Sequence, residues 1–215
     1  MNRLLKIIFI LFVIKPVVLI ILGLNVKNRQ KLPVNGPAII AANHNSHLDT
    51  LVIFSLYPLS KAHKLRPVAA ADYFLSNKLL AWFSLNVIGI IPLSRSGEVD
   101  KQALFSGCHQ ALDAGDILIL FPEGSRGEPE KTGRLKKGIY YLIKDRAETS
   151  LVPLVTHGLG RALPRGEALF VPFNCDVVVG DSLPVGDSSS KMLATLDESF
   201  NRMLHQCPTF HDEAR

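Results

Sequence analysis

Two acid–base side chains lie close together in a polar stretch that directly follows an apolar run. The stretch reads NHNSHLD over residues 43–49, and the run before it is AIIAA. On one continuous helix, His44 and Asp49 would point about 140° apart and would not meet. With His44 on a loop and Asp49 in the first turn of the next helix, the carboxylate can hold one ring nitrogen and leave the other to take a proton. The spacing therefore indicates general-base chemistry.

The same stretch permits two other interpretations. Ser46 and Asp49 match the S-x-x-D pattern of a capping box, in which side chains bond backbone N–H groups at the start of a helix. This explains Ser46 and Asp49 but leaves His44 unexplained. A zinc site would use His44, His47 and Asp49, but the two histidines stand three apart in a turn and no fourth ligand is evident. We therefore predict no metal at this stretch.

A second polar cluster, FPEGSRG over residues 121–127, follows the apolar run ILIL. Its glycines let the backbone approach a ligand closely, and Arg126 can hold a phosphate through two parallel hydrogen bonds. Glu123 would orient that arginine, bind a hydroxyl or support the histidine. The alternative is an ordinary surface turn with a solvated Arg–Glu pair. The cluster is a candidate site for an anionic substrate.

Further cations stand on either side of this cluster in the sequence. Arg95 ends the run GIIPLSR, and Lys136 and Lys137 stand at the start of a predicted helix. The helix dipole disfavours cations there unless an anion meets them, so these lysines are candidate phosphate ligands. Solvated surface charge is the alternative for both lysines.

Apolar runs alternate with amphipathic segments along most of the chain. The apolar, β-branched runs predict strands at residues 38–42, 66–71, 87–93, 117–121, 151–157 and 176–179. The amphipathic segments predict helices at residues 50–57, 73–85, 99–114, 135–146 and 189–205. This alternation predicts an α/β fold with a mixed, mostly parallel sheet flanked by helices. Both polar clusters follow predicted strands, which is where such sheets bind ligands.

The N-terminal stretch is the most apolar part of the sequence, and it predicts a membrane-anchoring segment over residues 1–30, followed by a catalytic domain over residues 31–215. Lys15 and Pro16 interrupt it, because a charge at the bilayer centre is costly and proline breaks a helix. We therefore expect a helical hairpin in one leaflet, broken at Lys15–Pro16. A single spanning helix and a buried soluble helix are alternatives. A signal peptide is disfavoured, because no small-x-small cleavage site follows.

Basic residues flank this segment and suit the headgroups of the cytoplasmic leaflet. The flanking residues are Arg3, Lys6, Lys27, Arg29 and Lys31. They predict a membrane-associated protein at the cytoplasmic face of the (inner) membrane, with membrane phospholipids as partners.

Composition narrows the choice of partners. The 215 residues are 47% hydrophobic and 20% charged, with a formal net charge of +5, so an anionic substrate or surface is expected. Nucleic acid is the weakest option, because neither an RNA-type aromatic box nor zinc-finger spacing is present. The three cysteines are far apart and form no CxxC pair, so we expect small buried side chains in a reducing environment.

Four blocks of the sequence, together spanning residues 43–157, resemble the PlsC-type glycerolipid acyltransferases, which are the 1-acylglycerol-3-phosphate acyltransferases and their relatives. NHNSHLD is similar to the family's NHxxxxD block, and FPEGSRG is similar to its FPEGTRS block. GIIPLSR resembles its G-x-I-F-x-x-R block, with Pro92 where phenylalanine is usual. LVPLVTHG resembles its V-P-x-x block. In addition to these four blocks, LKKG resembles the family's F-K-K-G.

The resemblance implies a glycerol-3-phosphate acyltransferase-like fold and transfer of a fatty acyl group from acyl-CoA or acyl-carrier protein to a lysophospholipid hydroxyl. The default acceptor is 1-acylglycerol-3-phosphate, which would give phosphatidic acid. By analogy, His44 is the general base, Asp49 orients it, and no acyl-enzyme forms. The acyl donor is a substrate, so no tightly bound cofactor is expected. The implied acceptor-binding residues are Arg95, Glu123, Gly124, Ser125, Arg126 and Lys136.

Other functions remain open at this point. Glycerol-3-phosphate, another lysophospholipid or a lyso-aminolipid would use similar blocks as acceptor. A hydrolase would use Ser46 or Ser125 as nucleophile with His44, although neither serine stands in a G-x-S-x-G motif. A non-catalytic protein that binds anionic lipid could share the same fold.

Overall fold

The computed structural model describes residues 2–46, 48–94, 101–125, 132–162 and 173–211. Within these residues, seven strands form a single sheet. They are β1 (Leu22–Lys27), β2 (Ala38–Ala42), β3 (Leu65–Ala70), β4 (Ile91–Leu93), β5 (Ile117–Leu120), β6 (Ser150–His157) and β7 (Phe173–Val179). Their order across the sheet is β1-β7-β6-β2-β5-β3-β4.

The sheet is mixed and mostly parallel, as the sequence predicts. Strands β2 to β6 all run in the same direction, with β2 between β5 and β6. Strand β7 runs antiparallel to β6, and β1 pairs in parallel with β7. The carboxyl ends of β2, β5 and β6 therefore meet at one edge of the sheet, and both polar clusters follow strands of this group.

Helices lie on both faces of the sheet and bury it from each side. They are α1 (Arg3–Phe9), α2 (Lys15–Ile21), α3 (Leu48–Leu56), α4 (Ala71–Phe74), α5 (Lys78–Phe83), α6 (Lys101–Asp113), α7 (Gly138–Ile143), α8 (Leu159–Ala162), α9 (Ser189–Leu204) and α10 (Pro208–His211). Successive strand residues point to opposite faces, so Ile40 packs in the layer with α3, and Ile39 packs in the layer with α6, α7 and α9. Every residue of β2 is buried, as expected for a central strand covered on both sides.

Several predicted elements differ from the structure in their bounds. The predicted strand 87–93 is only Ile91–Leu93, because a π-helical turn, Ser84–Ile88, extends α5 and ends at Gly89 with φ +76°. Pro92 lies in the edge strand β4, where a missing N–H group is tolerated. The predicted helix 73–85 is two helices, since the side chain of Asn77 starts α5 by accepting a hydrogen bond from the N–H of Leu80 at 2.8 Å.

Other predicted bounds shift less. Strand 38–42 is confirmed, and strands 66–71, 117–121 and 151–157 each lie within one residue of the observed bounds. Strand 176–179 begins earlier, at Phe173, and helix 135–146 is shortened to Gly138–Ile143. Residues 99 and 100 of the predicted helix 99–114 lie outside the described residues.

The predicted helical break at Lys15–Pro16 is not present. Helices α1 and α2 are joined by a π-helical turn, Ile10–Ile14, in which the N–H of Lys15 bonds to the carbonyl of Ile10. A widened turn directly before a proline relieves the crowding between its ring and the preceding carbonyls. The expected helical hairpin is therefore wrong for this backbone, which stays helical through Pro16.

The N-terminal segment contributes to the folded domain. Ile10, Ile14 and Val18 are at most 2% exposed and pack in the core layer that contains α3. Strand β1, which follows α2, pairs with β7. Across the residues that the structure describes, no helix combines the length and the apolar character needed to cross a membrane. A membrane-anchoring role for residues 1–30 stays a prediction.

Lys6 lies in the protein interior rather than at a headgroup position, which corrects one expectation from the sequence. Its side chain is fully buried, and its Nζ donates to the carbonyls of Leu65 and Ile88 and lies 4.6 Å from the centroid of the Phe54 ring. The pKa of Lys6 is lowered to about 7, chiefly by burial and also by the charge of Arg66, whereas the carboxylate of Asp116 opposes this shift. The three cysteines are free and buried, as predicted.

Candidate active site

The loop after β2 and the start of α3 form a capping box. The N–H of Leu48 donates to Oγ of Ser46 at 3.3 Å, and the N–H of Ser46 donates to Oδ2 of Asp49 at 2.9 Å. Backbone donors at the start of the helix, which have no partner within it, are satisfied in this way. The capping interpretation of Ser46 and Asp49 is therefore confirmed, and it coexists with the contact described next.

His44 and Asp49 form a hydrogen-bonded pair at the carboxyl end of β2. Nδ1 of His44 lies 2.9 Å from Oδ2 of Asp49, and the side chain of Asp49 is fully buried whereas that of His44 is 18% exposed. Because Oδ2 also accepts the N–H groups of Asn45 and Ser46, at 2.8 and 2.9 Å, it acts as an acceptor, and Nδ1 must be the donor. This tautomer leaves Nε2 of His44 as a base.

Thr156 of β6 completes the surroundings of Asp49. Its hydroxyl lies 3.0 Å from Oδ1, so both carboxylate oxygens are bonded inside the protein. Its backbone is held by Asn43, whose Oδ1 accepts the N–H of Thr156 at 2.7 Å and whose Nδ2 donates to the carbonyl at 2.9 Å. Asn45 donates to the same carbonyl at 2.8 Å. The Asn43 amide thus replaces a strand residue and extends the pairing of β2 with β6.

Glu123, in the loop after β5, joins the second polar cluster to the first. The N–H of His44 donates to its Oε1 at 3.0 Å, and the N–H of Gly133 donates to its Oε2 at 2.9 Å. Burial raises the pKa of Glu123, and the two N–H donors oppose that rise. Phe121 from the same loop stacks on the His44 ring, with centroids 4.1 Å apart and planes at 21°. The position of His44 is therefore fixed by three contacts. Glu123 bonds its backbone N–H, Phe121 stacks on its ring, and Asp49 bonds its Nδ1.

Lys136 lies beside the turn of the second cluster. Its N–H donates to the carbonyl of Pro122 at 2.8 Å. Gly124 in this turn has φ +73°, and a Cβ atom added there would lie 2.7 Å from Nζ of Lys136. The glycine thus provides both the backbone conformation and the space for the lysine side chain. Lys136 and Ser125 are exposed beside this turn, as a candidate acceptor-binding surface requires.

The structure brings some of the predicted site residues together, and others lie outside the described residues. His44, Asp49, Glu123, Gly124 and Lys136 are connected through the contacts above. Of the roles expected for Glu123, the described contacts match support of the histidine, because its two oxygens accept the N–H groups of His44 and Gly133. A role in substrate binding stays a prediction. The residues outside the described parts of the chain are Arg95, Arg126 and the metal candidate His47.

The sequence did not predict the roles of four residues in the site, which are Asn43, Asn45, Phe121 and Thr156. Asn43 and Asn45 stand in the quoted polar stretch, and Thr156 stands in the LVPLVTHG block, so each was near a recognised motif. Their contacts depend on β6 lying beside β2, which sequence spacing does not show. Within the described residues, no group of three or more His, Cys, Asp or Glu side chains is placed to hold a metal ion.

The class of protein to which this chain belongs is given by a match to a family model. The model of the Acyltransferase family matches residues 23–157, more than half of the 215 residues. The chain therefore belongs to the Acyltransferase family.

Known proteins resemble this chain in sequence and in fold. It is 27% identical over 144 residues to a chloroplastic 1-acyl-sn-glycerol-3-phosphate acyltransferase of Arabidopsis thaliana, covering 66% of this chain and 38% of that protein. It is 25% identical over 162 residues to human 1-acyl-sn-glycerol-3-phosphate acyltransferase alpha, which covers 74% of this chain and 54% of that protein. The crystal structure of the acyltransferase PlsC from Thermotoga maritima shares the fold, with a TM-score of 0.74 at 17% identity over 96% of this chain and 82% of that one. The chain thus spans about half, or less, of the length of these two curated relatives.

Proposed function

We propose that this protein transfers a fatty acyl group from acyl-CoA or acyl-carrier protein to the free hydroxyl of a lysophospholipid. The proposed acceptor is 1-acylglycerol-3-phosphate, and the product is then phosphatidic acid. The observation that carries this proposal is the His44–Asp49 pair, whose geometry leaves Nε2 of His44 as a base at the carboxyl end of β2. The names of the relatives support the same choice of acceptor.

In the proposed mechanism, Nε2 of His44 takes the proton of the acceptor hydroxyl while the oxygen attacks the thioester carbonyl. Asp49 stabilises the imidazolium that forms, since its Oδ2 lies 2.9 Å from Nδ1. The carbon–sulfur bond then breaks, and the imidazolium returns the proton to the leaving thiolate. A positioned base contributes about 10²–10⁴-fold to the rate of such a step. No acyl-enzyme forms along this route.

The anionic part of the acceptor is proposed to bind beside the second polar cluster. Lys136 is an exposed cation next to the turn at Gly124, and Ser125 supplies a hydroxyl on the same turn. Arg95 and Arg126 are proposed as further phosphate ligands from their place in the sequence. Ser46 is a poor candidate for a hydrolase nucleophile, because it is 2% exposed and its Oγ accepts the N–H of Leu48.

The test is a panel of acceptors with labelled acyl-CoA and acyl-carrier protein, using protein purified in detergent. We expect labelled phosphatidic acid from 1-acylglycerol-3-phosphate, and no transfer by a folded His44→Ala variant. His109→Ala is the control, because that histidine lies on α6 outside the site. Retained turnover in His44→Ala contradicts the mechanism, and label trapped on the protein favours a hydrolase. Liposome binding without thioester consumption favours a non-catalytic lipid binder.

We further propose that the N-terminal segment attaches the protein to the cytoplasmic face of a membrane. Three apolar side chains at intervals of four residues share one face of this segment and are exposed. They are Leu4, Ile8 and Phe12, with exposed fractions of 65%, 43% and 70%. Leu79 and Trp82 of α5 are also exposed, and Phe9 packs edge-on against Phe83 of that helix. Apolar side chains on a helix with basic flanks are typical of interfacial binding.

Sedimentation with vesicles containing phosphatidylglycerol tests this attachment. We expect the double variant Leu4→Glu/Phe12→Glu to lose most vesicle binding. Val34→Glu is the matched control, because Val34 is 56% exposed but lies outside the helical segment. Unchanged sedimentation of the double variant contradicts attachment through α1 and the π-helical turn that follows it.

A further inference from the structure

The two oxygens of the Asp49 carboxylate have different sets of donors. Oδ2 accepts from Nδ1 of His44 and from the N–H groups of Asn45 and Ser46. Among the described residues, Oδ1 accepts from the hydroxyl of Thr156, at 3.0 Å. Both Asp49 and Thr156 are fully buried, so this single donor fixes the side of the carboxylate that faces away from His44.

The hydroxyl of Thr156 donates its hydrogen bond to Asp49 rather than to Asn43. Oγ1 of Thr156 lies 3.0 Å from the carboxylate and 3.4 Å from Oδ1 of Asn43. The Asn43 oxygen already accepts the N–H of Thr156 at 2.7 Å, and a carboxylate is the stronger acceptor. Threonine has one hydroxyl proton, so the contact at 3.0 Å is the donated bond.

The backbone at Thr156 is held independently of this hydroxyl. Asn43 and Asn45 bond its N–H and carbonyl groups, and β6 pairs with β2 up to Leu154. Replacement of the hydroxyl alone should therefore leave the strand and the loop after β2 in place. The hydroxyl can be tested separately from the framework that carries it.

We propose that Thr156 is a positioning residue of the reaction, which acts on His44 through Asp49. This inference rests on the function proposed above. Without the hydroxyl, Oδ1 of this buried carboxylate has no donor among the described residues, and an unpaired buried acceptor costs far more than one at the surface. The carboxylate then turns towards other donors, and its Oδ2 no longer holds Nδ1 of His44 in the orientation that the base needs. Thr156 contacts Asp49 rather than substrate, so its effect falls on kcat.

Steady-state kinetics of Thr156→Val and Thr156→Ser test the proposal. Valine keeps the shape and the strand preference of threonine without the donor, whereas serine keeps the donor. We expect about a 10- to 100-fold loss of kcat in Thr156→Val, with KM for both substrates within about twofold, and near-complete activity in Thr156→Ser. Thr149→Val is the matched control, because Thr149 is buried and its Oγ1 has no partner among the described residues.

Three results overturn the proposal. These are wild-type kcat in Thr156→Val, an equal loss in Thr149→Val, and an effect confined to KM. If Thr156→Val does not fold, Thr156→Cys replaces it, because cysteine and serine have similar shapes but a thiol is a weak donor. Equal kcat of the cysteine and serine variants then overturns the proposal. Activity in His44→Ala would instead reject the proposed function itself, so the two failures are distinguishable.

Discussion

The backbone N–H of His44 donates to Oε1 of Glu123 at 3.0 Å, across 79 positions of sequence. Glu123 follows β5 and His44 follows β2, and these strands are neighbours in the sheet. The second carboxylate oxygen of Glu123 accepts the N–H of Gly133, which also stands between β5 and α7, so the glutamate joins this connection to the loop after β2. The two polar clusters are thus parts of one hydrogen-bonded unit.

Glu123→Gln is expected to lower kcat by about 10-fold or more. The amide of glutamine can accept through one atom only, so its NH₂ group would face the N–H of either His44 or Gly133. Steady-state kinetics beside thermal unfolding would measure the loss in folded protein. Glu148→Gln, at an exposed position, is the control. Full activity in Glu123→Gln would show that this connection does not position His44.

Asp49→Asn is expected to lower kcat by about 10²-fold or more, because a neutral amide does not stabilise the imidazolium that His44 forms. Stability should change less, since the asparagine oxygen can keep the donors of Oδ2 while its NH₂ donates to Thr156. Activity and unfolding midpoints would be measured together. Asp197→Asn on the exposed face of α9 is the control. Unchanged kcat would remove Asp49 from the mechanism.

Gly124→Ala is expected to raise KM for the phosphate-bearing acceptor about 5-fold and to destabilise the fold by about 1 kcal/mol. The new Cβ atom would lie 2.7 Å from Nζ of Lys136, and the position has φ +73°. Gly186→Ala is the control, because its Cβ would meet its nearest neighbour at 3.5 Å. If Lys136 mediates the effect, Gly124→Ala should add little to Lys136→Ala in a double-mutant cycle. Additive effects would contradict that route.

Lys6→Met is expected to change how stability depends on pH. Burial lowers the pKa of Lys6 from 10.5 to about 7, so between these values the unfolded chain binds more protons than the folded one. Stability of the natural protein relative to Lys6→Met should therefore rise with pH in this window, by up to about 1.4 kcal/mol per pH unit, and stay level below it. Urea unfolding from about pH 6 to about pH 9 would measure this. A difference independent of pH, or one shared by Lys78→Met, would contradict it.

Local patterns in the sequence predicted the features whose causes are local. The strand 38–42, the cap at Ser46 and the contact of His44 with Asp49 depend on residues within one short stretch. The burial of Lys6 could not be predicted, because its acceptors are carbonyls of Leu65 and Ile88 on distant elements.

The roles of Thr156 and Pro16 show two further reasons why prediction failed. Thr156 contacts Asp49 only because β6 lies beside β2. The order of strands in the sheet cannot be predicted from the spacing of motifs. Pro16 was expected to break the N-terminal helix, but the π-helical turn Ile10–Ile14 accommodates it. Long-range pairing and backbone adjustment, rather than side-chain pattern, decided both positions.

The pairing of β1 with β7 has a practical consequence for producing the protein. Truncation of the apolar N-terminus would remove β1 and uncover the edge of β7, which is a template for aggregation. It would also remove the buried side chains of Ile10 and Ile14 from the core layer that contains α3. A more soluble version is better obtained by polar substitution at the exposed positions Leu4 and Phe12, with the chain kept at full length.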